Sequence, residues 1–165
     1  MSPFGRRHTA EGAPLPVESH LPGFDGATGW LNSAPLGPAD LAGKVVLVDF
    51  WTYTCINWLR TLAYVRAWAE KYGDQGLVVI GVHVPRIDYE KEIPKIKDAV
   101  AKKGITYPVV VDNKYQIWSD YLCNTWPSHF VVDQNGVIQL SHSGTERYED
   151  TEKIIQKLLA KNNGK

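Results

Sequence analysis

Val45-Val46-Leu47-Val48-Asp49-Phe50-Trp51-Thr52-Tyr53-Thr54-Cys55-Ile56-Asn57-Trp58 is the stretch from which the rest of the chain can be read. A β-branched apolar run ends in a short polar turn, and the turn ends on a cysteine. Apolar positions at Leu59, Leu62, Ala63, Val65, Ala69 and Tyr72 follow, mostly at three- and four-residue steps. The pattern predicts a strand, a turn and a helix, with Cys55 at or near the helix N-terminus. Unpaired backbone N–H groups and the positive end of the helix dipole favour an anion there. A thiol so placed can have its pKa drawn from roughly 8.5 into a window of roughly 3.5–7.5, and the thiolate is the nucleophile.

Outward from this stretch the chain alternates strands and helices. Gly76–Val82 is a second continuous apolar run, expected to pair parallel to 45–50 after the helix crosses over. Ile93, Ile96 and Val100, with lysines between, make an amphipathic helix stopped by Gly104, and Tyr107–Val111 reads as a strand. Asp112 is placed to cap a short helix carrying Tyr115, Ile117, Trp118 and Tyr121. His129–Asp133 and Val137–Leu140 form a hairpin around Asn135-Gly136, residues that accept positive φ. A last helix runs from about Glu149 to Leu159. Before the first strand, residues 20–44 are rich in turn formers; short strands near 28–33 and one helical turn at Asp40–Lys44, ended by Gly43, are expected. Residues 1–18 lack periodicity and read as a flexible tail, leaving 19–165 as one domain.

Asp49-Phe50-Trp51 followed by a cysteine resembles the active-site strand of thioredoxin-like proteins. The longer string Phe50–Asn57, with Leu59-Arg60-Thr61-Leu62, resembles the redoxin domains of the TlpA/ResA/DipZ type, which are extracytoplasmic thiol–disulfide oxidoreductases. The resemblance covers about residues 20–162. It implies an α/β thioredoxin-like fold with an N-terminal β-hairpin and a helix–strand insertion. It makes Cys55 the nucleophile and Asp49 the buried acid beneath it. Trp126-Pro127 becomes the cis-proline loop facing the cysteine. Thr54, Trp58, Trp126 and Pro127 are then the expected substrate contacts.

The chain departs from that family at a decisive place. The pattern is Cys-x-x-Cys, and residue 58 is Trp; Ala63 stands where a helix-kinking proline is usual. Trp58 shares the face of Cys55. It either covers the thiol and offers a contact surface, or fills the space left by the missing cysteine. Asp49 loses the thiol it would deprotonate and is expected to pair with a backbone or hydroxyl donor, because a lone buried charge is costly. Cys123, four residues before Pro127, is either a substitute resolving thiol or an ordinary semi-buried one; a bridge to Cys55 needs Cα atoms within about 7 Å. Cys55 itself has the alternative of being a buried, inert thiol. Two neighbouring signatures fail. Thr52 fits the peroxiredoxin threonine, but Val48 replaces its proline; copper-handling relatives need a cysteine where Leu59 stands.

Composition narrows the function classes. With 18 Lys and Arg against 18 Asp and Glu, scattered along the chain, no nucleic-acid or anionic-membrane surface is indicated. Two cysteines are too few for a disulfide scaffold or a cysteine-rich metal site, and the five histidines show no ligand spacing, so neither a metal nor another cofactor is expected. His83, at the end of a central strand, is the one histidine near the expected site. No apolar run reaches the roughly 18 residues that suggest a membrane span, and the start lacks a signal-peptide apolar region. The resemblance implies an envelope location, with any leader, membrane anchor or electron-donor domain outside these residues. Three functions are compatible: a single-cysteine oxidoreductase acting on protein or small-molecule thiols and disulfides, a non-catalytic binding module, and an engineered or trapped dithiol enzyme.

Overall fold

The computed structural model describes residues 14–163. Six strands form one mixed sheet: β1 (Gly29–Leu31), β2 (Val45–Trp51), β3 (Leu77–His83), β4 (Val109–Val111), β5 (Ser128–Val132) and β6 (Ile138–Ser143), in the order β1-β4-β3-β2-β5-β6. β2, β3 and β4 run parallel; β1, β5 and β6 pair antiparallel with their neighbours. The helices are α1 (Pro38–Leu41), α2 (Ile56–Tyr72), α3 (Ile93–Lys102), α4 (Gln116–Asp120) and α5 (Tyr148–Asn163). This is the expected thioredoxin-like α/β architecture, with α3 and β4 as the helix–strand insertion.

β2 lies at the centre and all seven of its residues are buried, as a strand covered on both faces requires. Alternation divides them between two cores. Val45, Leu47 and Trp51 pack with Leu62 and Val65 of α2, Ile96 of α3 and Ile155 of α5. Val46, Val48 and Phe50 pack with Phe24, Leu41, Ile117 and Tyr121 on the other face.

Several boundaries differ from expectation. The N-terminal hairpin is absent among the described residues. Gly29–Leu31 pairs with Val109–Val111 at one sheet edge, while His20 bridges Val137 near the other. The segment between them is committed through Phe24 to the core that holds Val46, Val48 and Phe50, so it cannot double back on itself. Within the expected tail, residues 1–13 lie outside the described part, and Leu15 and Glu18 donate to Tyr121 and Ile138 carbonyls. The 40–44 helical turn begins earlier, because Pro38 suits a first helical position, and Gly43 follows it at φ +84°. β4 begins after Pro108, which has no N–H to donate. In α2 the inward face is Trp58, Thr61, Leu62, Val65, Trp68 and Tyr72, whereas Leu59, expected inside, is exposed. Asp112 caps α4 from a distance, accepting the Ile117 and Trp118 N–H groups at 3.1 and 2.8 Å, while Tyr115 holds the N-cap position at φ +62°.

Candidate active site

β2 ends at Trp51 and α2 begins at Ile56, so four residues make the turn. Its hydrogen bonds explain the geometry. Cys55 N–H returns to the Thr52 carbonyl at 3.1 Å, and Cys55 takes the N-cap position with extended backbone. Its Sγ accepts the Trp58 N–H at 3.4 Å, so the sulfur occupies the place where an N-cap oxygen usually sits. On its other side it lies 3.9 Å from the Trp126 carbonyl oxygen, a distance at which a thiol S–H can donate. The Trp126–Pro127 peptide is cis. Trp126 is anchored by its indole N–H on the Val84 carbonyl at 3.0 Å and by stacking on Trp118 at 4.1 Å. The sequence elements expected at one site, Cys55 and the Trp126-Pro127 loop, are thus brought together. Cys55 is nevertheless only 3% exposed.

Of the two places open to Trp58, the structure takes the second: it fills the space left by the missing cysteine, and the expectation of a substrate contact is corrected. Its side chain is fully buried, stacks on Trp51 with ring centroids 4.2 Å apart, and donates its indole N–H to Asp49 Oδ2 at 2.9 Å. It occupies the space beneath the thiol and presents no surface. Asp49 is likewise corrected: its partners are this indole and His129, whose Nε2 lies 3.0 Å from Oδ1, rather than a backbone or hydroxyl group. The His129 contact is close enough for an ion pair when the imidazole is protonated, but it is not aligned as an N–H···O bond. His129 carries no local signal in the sequence. It reaches Asp49 because the two are cross-strand partners in the β2–β5 register.

Thr54 is half-buried and tied down by groups that sequence reading missed. Its hydroxyl donates to the Glu90 carboxylate and accepts from the Arg86 guanidinium at 2.9 Å. Burial alone would raise the Glu90 carboxyl. The hydrogen bonds it accepts from Thr54, the Arg86 amide and Thr52 hold it below the ordinary carboxylate value instead.

Cys123 does not pair with Cys55; both thiols are free. Cys123 is buried, and burial pushes its thiol well above the ordinary range, a hydrogen bond with Ser128 offsetting only part of this. A thiol so placed is a poor resolving group at neutral pH.

His83 lies under the turn, fully buried. It is 3.3 Å from the Thr52 hydroxyl and packed between the Trp51 and Tyr53 rings. Burial lowers its pKa to about 4, against a smaller opposing pull from Glu90. The folded protein therefore binds a proton at His83 less readily than the unfolded chain. Neutral in both states above pH ~6.5, the residue contributes no pH dependence there; stability falls as pH drops from that value to about 4, then levels. His83→Phe, which keeps a ring in the stack, should remove on the order of 3 kcal/mol of this acid sensitivity. Urea unfolding of both proteins across that pH window measures it.

Among the described residues no helix is long and apolar enough to cross a membrane, and no group of three or more His, Cys, Asp or Glu side chains is placed to hold a metal.

The chain is similar to characterised proteins along most of its length. It is 40% identical over 141 residues to Protein DipZ of Mycobacterium bovis, which covers 84% of this chain but 20% of DipZ, so it spans about one fifth of that relative. It is 28% identical to the thiol-disulfide oxidoreductase YkuV of Bacillus subtilis, covering 88% of this chain and 98% of YkuV. Among solved structures, a putative thiol:disulfide interchange protein DsbE from Chlorobium tepidum superposes with a TM-score of 0.74 at 25% identity, over 88% of this chain and 99% of that one. Residues 17–141 match the family as a unit, from the segment before β1 into β6 and including Cys55 and Pro127: the chain belongs to the AhpC/TSA family and has the thioredoxin-like fold.

Proposed function

We propose that this chain is a thiol–disulfide oxidoreductase-like protein that works through one cysteine, Cys55. The observation that carries the reading is the position of its Sγ. The sulfur sits at the N-cap of α2, against the carbonyl beside Pro127, with an indole rather than a thiol one turn on. In the proposed step the Cys55 thiolate attacks one sulfur of a disulfide. The new Cys55–sulfur bond forms as the old S–S bond breaks, and the departing thiolate takes a proton from solvent. With no thiol at 58 and Cys123 held protonated, an external thiol must release the adduct. The substrates are protein or small-molecule thiols and disulfides. The resemblance to the TlpA/ResA/DipZ type supports work outside the cytoplasm, with an anchor or electron-donor domain beyond these residues.

The expected result with oxidised glutathione is a persistent one-to-one mixed disulfide on Cys55, with Cys123 unmodified and no Cys55–Cys123 bridge. Intact mass followed by non-reducing peptide mapping reads this directly. A second reading, a binding module without turnover, draws on the near-complete burial of Cys55. It takes the lead if the folded chain forms no adduct and Cys55 reacts only in denaturant.

A further inference from the structure

The turn that carries Cys55 is held from outside by the segment after β3. Glu90 lies in a short 3-10 turn, Asp88–Lys91, with its side chain fully buried. One carboxylate oxygen accepts the Arg86 N–H at 2.6 Å and the other accepts the Thr54 hydroxyl. The Arg86 guanidinium donates to the same Thr54 oxygen at 2.9 Å, so two residues, Glu90 and Arg86, close on one hydroxyl. Thr54 directly precedes Cys55.

A buried carboxylate is unfavourable unless its oxygens are hydrogen-bonded, and charge-assisted bonds are the stronger ones. Of the bonds Glu90 accepts, one comes from Thr54, the residue next to the thiol, and another from Thr52 in the same turn. The thiol meanwhile is enclosed, with the Trp58 N–H on one side and the Trp126 carbonyl on the other. A reactant reaches the sulfur only when the Thr52–Cys55 turn or the Trp126 loop moves. The Trp126 loop is held by its own contacts to Val84 and Trp118; the turn is held by Glu90.

We propose that Glu90 is a positioning residue for Cys55: by gripping Thr54 together with Arg86 it keeps the turn closed over the thiol and sets how often the sulfur is presented to a reactant. Its functional meaning rests on Cys55 being the reacting thiol, as argued above. Glu90 does not touch the sulfur; it acts through Thr54.

The test measures the iodoacetamide labelling rate of Cys55 in the folded, full chain, read by peptide mapping so that Cys123 does not interfere, together with the melting temperature. Glu90→Ala should raise the rate on the order of tenfold, the loss of charge-assisted bonds making turn opening that much easier. Thr54→Val, which leaves the Glu90 bonds to the Arg86 amide and Thr52 in place, should raise it by no more than Glu90→Ala does, and the double variant should go no further than Glu90→Ala alone. Glu90→Gln should stay within about threefold of the parent, because its amide oxygen still accepts the Arg86 N–H and its NH2 can donate to the Thr54 oxygen. The proposal is overturned if Glu90→Ala and Thr54→Val lower the melting temperature while leaving the labelling rate unchanged, for Glu90 would then be a purely structural residue. It is equally overturned if the two effects multiply, or if Glu90→Gln labels as fast as Glu90→Ala. Should Glu90→Ala not fold, the Thr54→Val and Glu90→Gln rates still decide it. These rates carrying the expected ratios while oxidised glutathione forms no adduct would leave the role of Glu90 standing and sink the oxidoreductase reading alone.

Discussion

Trp58→Cys is expected to gain disulfide reductase turnover, by at least about 100-fold over the parent chain. A thiol three residues beyond Cys55 attacks the mixed disulfide within the molecule, where well-oriented groups act at very high effective concentration. The parent must instead wait for a thiol from solution. The surroundings of position 58 suit the exchange. Its backbone N–H already points at Cys55 Sγ, at 3.4 Å, and Asp49 lies beneath it. Packing opposes the exchange. Trp58 is fully buried and stacked on Trp51, so a smaller side chain leaves a cavity costing roughly 3–5 kcal/mol. Circular dichroism establishes that the variant is folded, and insulin reduction with a chemical thiol as electron source reads the activity. A folded Trp58→Cys protein without a gain would count against a latent oxidoreductase and favour the binding-module reading.

The second large effect is on stability. Trp58→Phe retains an aromatic ring against Trp51 but deletes the indole N–H. Asp49, fully buried, then keeps only its poorly aligned contact with His129. Leaving a buried acceptor short of a donor in the interior costs more than the bond's net contribution, and a loss of about 1–3 kcal/mol is expected. Replacing both partners by apolar groups removes the unmet demand as well as the bond. The double variant Trp58→Phe/Asp49→Leu should therefore be more stable than Trp58→Phe alone. Urea denaturation of the parent, the two single variants and the double one gives the coupling directly. Strict additivity would mean that the indole–carboxylate bond contributes nothing specific.

These expectations depend on contacts that lie unequally deep in the sequence. The strand at 45–51, the turn ending on Cys55 and the helix after it are local events. β-Branched periodicity, N-cap chemistry and a 3.6-residue apolar repeat act over neighbouring residues, so their type and order could be read directly. The same holds for 77–83 and for the Asn135-Gly136 hairpin. Cys55 as the candidate nucleophile and Pro127 as its neighbour were legible through the family resemblance, because that resemblance attaches to short motifs.

Burial and partnership were decided only by the tertiary structure. Leu59 and Trp58 are both apolar and adjacent, and both stand at a helical step from Leu62, so the apolar pattern points Leu59 inward; the packing of α2 against Trp51 buries Trp58 instead. His129 meets Asp49 through antiparallel register, a relation between residues 80 positions apart in the sequence. Glu90 and Arg86 meet Thr54 because the segment after β3 folds back over the β2–α2 turn. The N-terminal strand was legible as a strand, but its partner was not, since an edge strand pairs with whichever backbone the rest of the chain leaves open. The sequence alone determined that there is a cysteine at a helix start with no thiol one turn later. The tertiary structure decided that an indole on a buried carboxylate occupies that place and that the turn bearing the thiol is held from a distant segment, because hydrogen-bond partners in a closed interior are assigned by packing rather than by proximity along the chain.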